Sequence, residues 1–146
     1  MEGITNTTYS TVQDKNIKIL KYLENIKHFI GCFSIKSLPP LTIPSSMMVI
    51  VKEHWLALIF LPDKCLYFDS TDTRCNRSLI KYIQTKYSNR AIIHNDKVLQ
   101  HEESKKCAEF CIAFLKSVDS VDSYNLFLEN FEKCSMKNDD VVKTYL

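Results

Sequence analysis

The stretch LQHEESKKCAEFCIAFL, residues 99–115, sets a glutamine seven positions ahead of a cysteine that opens an apolar run with helical spacing. A thiol in the first turn of a helix lies among unpaired amides at the positive end of the dipole, and both favour the nucleophilic thiolate. Lys105 and Lys106 act in the same sense. The competing reading of Cys107 is a structural cysteine, because a thiol also packs as a small apolar group. Nucleophilic use of Cys107 requires a histidine within hydrogen-bond reach and a third group to orient that histidine. Of the four histidines, His28 falls in an N-terminal helical pattern, and His94 and His101 flank the loop before Cys107. His54 stands between Glu53 and Trp55 at the head of an apolar run, where a strand would hold its ring rigidly. If residues 55–61 and 65–69 pair around Pro62-Asp63-Lys64, the register brings Asp69 beside His54, with Asp72 as the nearby alternative. Gln100 carries a side-chain amide that, with the Cys107 N–H, would stabilise a developing oxyanion.

Two other constellations are weaker. A zinc site can be drawn from Cys107, Cys111, His94 and His101, but Phe110 and Phe114 claim that helix face and no C-x-x-C pair exists. No serine sits in a nucleophile-elbow pattern.

The elements that must position these residues follow from apolar periodicity. Ile17, Leu20, Leu23, Ile26, Phe29 and Ile30 recur at three and four, which predicts an amphipathic helix over residues 14–29 stopped by Gly31. SLPPLTIPSS, residues 37–46, carries three of the four prolines and reads as an extended loop. Met47 to Val51 reads as a strand. Trp55 to Leu61 is nearly all apolar, as in a strand buried on both faces, and Cys65 to Asp69 runs back as its hairpin partner. A short helix over 77–87, a strand over 91–95 and a helix over 107–117 follow. The last helix, Tyr124 to Cys134, is expected to be capped by Asp122 or Ser123. The order helix, three strands, helix, strand, helix, helix predicts an α+β fold in a single domain over residues 1–146.

Bulk properties narrow the partners. With 146 residues, 45% apolar and 25% charged, the composition is globular. A net charge of +2, with only Arg74, Arg77 and Arg90 among 19 basic residues, argues against a strong nucleic-acid partner and leaves only weak contact with DNA. Two glycines exclude a glycine-rich phosphate loop. MEGITNTTYSTVQDKN holds no signal-like apolar run, and no stretch approaches the roughly 18 apolar residues of a membrane span. The expectation is an intracellular protein without membrane partners, its six cysteines reduced.

The order His, acid, Gln, Cys resembles the adenovirus protease (adenain) family and its relatives, the SUMO-deconjugating proteases. EHWLALIFLPDKCLYFDS (53–70) is similar to their His-Trp strand, hairpin and acid-ending strand, and QHEESKKCAEFCIAFL (100–115) has the adenoviral Gln-to-Cys spacing of seven. FIGCFSIKSLPP (29–40) is a weaker echo, and the likeness spans roughly residues 20–117. It implies a papain-like α+β cysteine protease fold of the adenain type: a small mixed sheet packed against helices, with the nucleophile at a helix N-terminus. It implies His54 as general base, Asp69 as its orienting acid, Gln100 as oxyanion donor and Cys107 as nucleophile. Trp55 would roof a narrow substrate-binding tunnel. The implied activity is a cysteine endopeptidase, without cofactor, that cleaves polypeptides after small, glycine-type residues and matures viral precursors in a host nucleus or virion. The same tetrad would serve an isopeptidase that removes a ubiquitin-like modifier, and a non-catalytic binding module would keep only the fold. The chain departs from the adenoviral pattern in Ala108 and Glu109, which follow the cysteine where those enzymes have glycine, and in its Asp, which is the acid of the SUMO-protease branch. The adenoviral enzymes tether a peptide activator through a cysteine shortly before the glutamine. No cysteine lies between Cys75 and Cys107, so that tether is missing, and the small net charge gives a DNA activator no support.

Overall fold

Trp55 to Phe60 has no polar position because its strand is covered on both faces. Side chains alternate across a strand. Trp55, Ala57 and Ile59 join one apolar cluster, while Leu56, Leu58 and Phe60 join another on the opposite face. The computed structural model describes residues 21–86 and 90–146. Among them β1 (Phe29–Ser34), β2 (Ser45–Val51), β3 (His54–Phe60), β4 (Lys64–Phe68) and β5 (Ala91–His94) form one mixed sheet in sequence order. The central pairs β2–β3 and β3–β4 are antiparallel, and the outer pairs β1–β2 and β4–β5 are parallel.

Parallel neighbours require a crossover. The β4–β5 crossover carries α1 (Arg77–Lys86), whose Leu79 and Ile83 are buried with Leu56, Leu58 and Tyr67 on one face. Against the other face lie α2 (Cys107–Ser117), α3 (Val121–Glu129) and α4 (Lys137–Lys143). The α2 segment from Phe110 to Phe114 is entirely buried, and Phe114 stacks on Phe68 of β4 with ring centroids 4.9 Å apart. The β2–β3 hairpin turns on Lys52 and Glu53, with Lys52 in the left-handed region at φ 58°. His54 therefore follows directly on a tight turn.

Strands β2 to β5 and the helices α1 and α2 agree with the sequence reading to within two residues. The end of the expected first helix does not. Residues 14–20 lie outside the described residues; inside them, only Lys21–Leu23 form a 3₁₀ turn, turns follow, and Phe29, expected to end the helix, opens strand β1. Gly31, expected as a helix stop, lies within β1 at φ 137°, beside an irregularity in the pairing with β2. The physical reason is tertiary: Cys32 and Phe33 are buried on opposite faces of the sheet, so pairing with β2 outweighs the local three-and-four spacing. The third helix begins at Val121, three residues earlier than expected, because the Ser120 side chain, not Asp122 or Ser123, caps it and forms a reciprocal pair with Ser123. It ends at Glu129, short of Cys134. The seven-residue α4 was not legible at all.

Phe114 fills the contact between sheet and helices, so Phe114→Ala should lower unfolding free energy by about 3–5 kcal/mol. Leu126→Ala, at a position 63% exposed, should change it by no more than about 0.5 kcal/mol. Urea unfolding midpoints measure both.

Candidate active site

His54 is the first residue of β3, and Asp69 is the residue after β4. The two strands pair from Ala57 with Phe68 to Phe60 with Cys65, so their open ends carry the two side chains together. His54 Nε2 lies 3.1 Å from Asp69 Oδ2. A carboxylate only accepts, so Nε2 is the protonated nitrogen and Nδ1 is left to exchange a proton. Asp69 is 4% exposed, and its other oxygen accepts from the Thr71 amide at 2.9 Å and the Thr71 hydroxyl at 2.7 Å. Asp72 does not take this place. It accepts from the Arg74 amide at 2.9 Å and from the Arg74 guanidinium at 3.2 Å, and that pairing holds its carboxyl below the usual range. The hydrogen bond from Asp69 raises the His54 pKa. Partial burial opposes this, and the charges of Asp69 and Asp72 add to it.

The backbone of Asp69 is clamped by Asn95, which the sequence reading did not single out. Asn95 is 1% exposed; its Oδ1 accepts from the Asp69 amide at 3.0 Å and its Nδ2 donates to the Asp69 carbonyl at 2.8 Å. The only hint in sequence is a polar residue at the end of an apolar strand.

Ser70, also not singled out, joins this pair to Gln100. Its carbonyl accepts from the amides of Leu99 and Gln100, at 3.0 and 2.9 Å. Its hydroxyl donates to Gln100 Oε1 at 2.6 Å, and Gln100 Nε2 donates to the Ser104 carbonyl at 3.0 Å. A carbonyl can only accept, so the bond to Ser104 fixes which end of the Gln100 amide is nitrogen. That bond uses one of the two Nε2 hydrogens. The loop is braced in turn by α4: the Ser104 hydroxyl donates to Asp139 at 2.8 Å, and Asn138 Nδ2 donates to the Leu99 carbonyl at 2.7 Å.

Cys107 is three residues beyond Ser104. It is half-buried and opens α2, whose N-cap residue, Lys106, makes no side-chain cap bond. It packs on the same cluster that holds Trp55, which is 3% exposed and next in the chain to His54. Glu109 is paired with Lys106 at 3.6 Å, which offsets its charge beside the thiol. One turn along α2, Cys111 is fully buried, and its pKa is pushed well up by burial and then by the charges of Cys107 and Asp69.

His94 bonds the Asn95 carbonyl at 3.1 Å, and His101 bonds the Glu103 amide at 3.1 Å. Among the described residues no three His, Cys, Asp or Glu side chains are placed to hold a metal ion, and no helix is long and apolar enough to cross a membrane.

No family model and no curated protein sequence matches the chain. Among solved structures it is similar to the SUMO protease Ulp1 with its catalytic cysteine oxidised to a sulfinic acid, at TM-score 0.46 and 15% identity, over 85% of this chain and 80% of that one. It is also similar to a de-sumoylating protease, at TM-score 0.39 and 16% identity, over 90% of this chain and 56% of that one. At these scores and identities the likeness adds no weight to the geometry above.

The raised His54 pKa has a definite sign for stability. A histidine near 6.5 when unfolded and higher when folded stabilises the fold in its protonated form. That contribution is complete below the unfolded value and is lost as pH rises through the folded value. NMR titration of the ring should give a midpoint above 6.5 in the native protein and a lower one in Asp69→Asn, and the variant should lose this pH slope in its unfolding midpoint. Ser70→Ala strands the buried Gln100 Oε1 without its donor and should destabilise by about 1–3 kcal/mol in urea unfolding.

Proposed function

We propose that the chain is a cysteine peptidase in which Cys107 is the nucleophile, His54 the base and acid, Asp69 the group that orients His54, and Gln100 the oxyanion donor. One observation carries this reading. Hydrogen bonds lead from His54 to Asp69 and, one peptide link on, from Ser70 to Gln100 and Ser104, ending three residues short of a cysteine at a helix start.

The chemistry follows from the atoms available. His54 Nδ1 takes the Cys107 proton, and the thiolate adds to the peptide carbonyl carbon. The oxyanion receives the second Nε2 hydrogen of Gln100 and the Cys107 amide hydrogen. As the carbonyl re-forms, the C–N bond breaks and the imidazolium gives its proton to the leaving amine. Water, deprotonated by His54, then attacks the thioester, and the carboxylic acid leaves as the thiol is regained. Asp69 holds the ring in the Nε2–H tautomer throughout.

The substrate is a polypeptide cleaved after small, glycine-type residues, with Trp55 backing the approach to Cys107, and viral precursor proteins are the class that the adenain resemblance supplies. An isopeptide bond to a ubiquitin-like modifier would yield to the same atoms, so the test includes both bond types.

Peptides and a glycine-terminated modifier conjugate, each carrying a Gly-Gly site, are incubated with the protein. Cys107→Ser should remove cleavage of whichever is cut, and Gln100→Ala should lower kcat by about 10²- to 10³-fold. His54→Ala should slow alkylation of Cys107 by iodoacetamide. Cleavage that survives Cys107→Ser, or alkylation indifferent to His54, overturns the reading.

A further inference from the structure

A cavity of about 390 Å³ opens against the His54–Asp69 pair. The sheet contributes Val51 and Leu56 to its wall, the segment between β4 and α1 contributes Asp72 and Arg74, and α1 contributes its first residue, Arg77. No residue of α2 lines it. Leu56 belongs to the strand face turned toward α1, whereas Trp55 belongs to the face covered by α2. The cavity therefore lies on the α1 side of the imidazole, away from the helix that begins with Cys107.

Its charges are unequally committed. Asp69 is held by His54 and Thr71, and Asp72 by the amide and guanidinium of Arg74. Both Asp69 oxygens thus already accept hydrogen bonds, and Asp72 already has a cation in Arg74. Arg77 is exposed and makes no ion pair among the described residues, and it opens α1, a helix with no acidic residue in its first turn. An incoming ammonium group would have to break an existing pair to find a partner. An incoming carboxylate meets an uncommitted guanidinium, whose planar fork suits a carboxylate, at the positive end of a helix. Two of the three arginines in the chain line this one cavity.

The chemistry of the site fixes which part of a substrate arrives there. The leaving amine must come within hydrogen-bond reach of the imidazole that protonates it. The chain beyond that amine then runs past His54, and at roughly 3.3 Å per extended residue its first two or three residues reach the α1 side. We propose that this cavity is a subsite for an acidic side chain, Asp or Glu, in the first residues after the scissile bond. The proposal rests on the peptidase reading for its direction along the substrate, and on the cavity and its arginine for its charge.

The test uses three peptides that share a Gly-Gly site and differ only in carrying Glu, Gln or Lys at the second position after it. Binding to the full-length Cys107→Ala protein is measured by calorimetry at low salt. The Glu peptide should bind about fivefold more tightly than the Gln peptide, the scale of a well-placed but exposed ion pair. That advantage should vanish in Arg77→Gln and survive in part in Arg77→Lys, and thermal melts of both variants should match the parent, since Arg77 lies at the surface. Equal binding of Glu and Gln, tighter binding of Lys, or a Glu advantage that survives Arg77→Gln overturns the subsite. Cleavage of the same peptides by the unmutated protein separates this from the peptidase reading. A Glu advantage in binding without cleavage of any peptide sinks the reading and leaves an acidic-peptide site standing. Cleavage without a Glu advantage sinks the subsite alone.

Discussion

The register between β3 and β4 is the constraint on which the site depends. Side chains alternate along a strand, so a slip of one residue would turn Asp69 away from His54 and put Ser70 in its place. Three features hold the register. Leu56 and Trp55 belong to opposite buried faces, so a slip would send every apolar side chain of β3 to the wrong side. The turn is closed by the Leu61 amide on the Lys64 carbonyl at 2.8 Å. Asn95 then grips Asp69 by both its amide and its carbonyl, which fixes the strand end where the ladder has stopped. The placement of the imidazole is thus secured by core packing and by backbone bonds.

Buried polar side chains gather at this end of the molecule. Asp69, Ser70, Asn95, Gln100 and Asn138 are each less than 7% exposed, and every one has a hydrogen-bond partner. Burying such groups is unfavourable unless they are bonded, and a fully bonded set in turn admits few alternative arrangements. The two buried side-chain atoms without a partner among the described residues, Ser45 Oγ and Trp55 Nε1, stand outside the run of bonds from His54 to Ser104. A rigid oxyanion donor and a rigid acid are what catalysis by preorganised dipoles requires. Under the proposed function one dipeptide, Asp69-Ser70, would support both, its carboxylate bonded to His54 and its hydroxyl to Gln100.

How much of this was legible follows from contact range. Strands β2 to β4 were readable because burial on both faces leaves a continuous apolar signature, and His54 and Asp69 were readable because a short hairpin ties two residues fifteen positions apart. Choosing Asp69 over Asp72 needed coordinates, although Arg74 two residues beyond Asp72 was a local clue that Asp72 was spoken for. Gln100 could be named from its spacing to Cys107, but the hydroxyl that sets its amide lies 30 positions away. Asn95 acts across 26 positions and Asn138 across 39. No local pattern marks such residues, and α4 is a helix for the same reason: seven residues are too few to hold on propensity alone, and Val142 and Asn138 anchor it from within the fold. The end of the expected first helix is the converse case, where the three-and-four spacing of Phe29 and Ile30 yields to pairing of β1 with β2.

Under the proposed function the electrostatics of His54 must balance two demands that pull apart. A base strong enough to take a thiol proton favours a high pKa, yet the same ring must release that proton to an amine, which favours a lower one. Asp69 raises the value through its hydrogen bond and, to a lesser extent, its charge, and partial burial of the ring holds it back. Asp72 adds to the rise, but Arg74 sits on that carboxylate and partly cancels its field. Arg74 therefore tempers the base from a distance, while Lys106 does the same for Glu109 beside the thiol. Burial pushes the Cys111 pKa well up, so under the proposed function Cys107 is the sulfur of α2 that would exchange a proton with the imidazole. Pairing Asp72 with Arg74 and Glu109 with Lys106 leaves Asp69 as the carboxylate that acts most strongly on the ring.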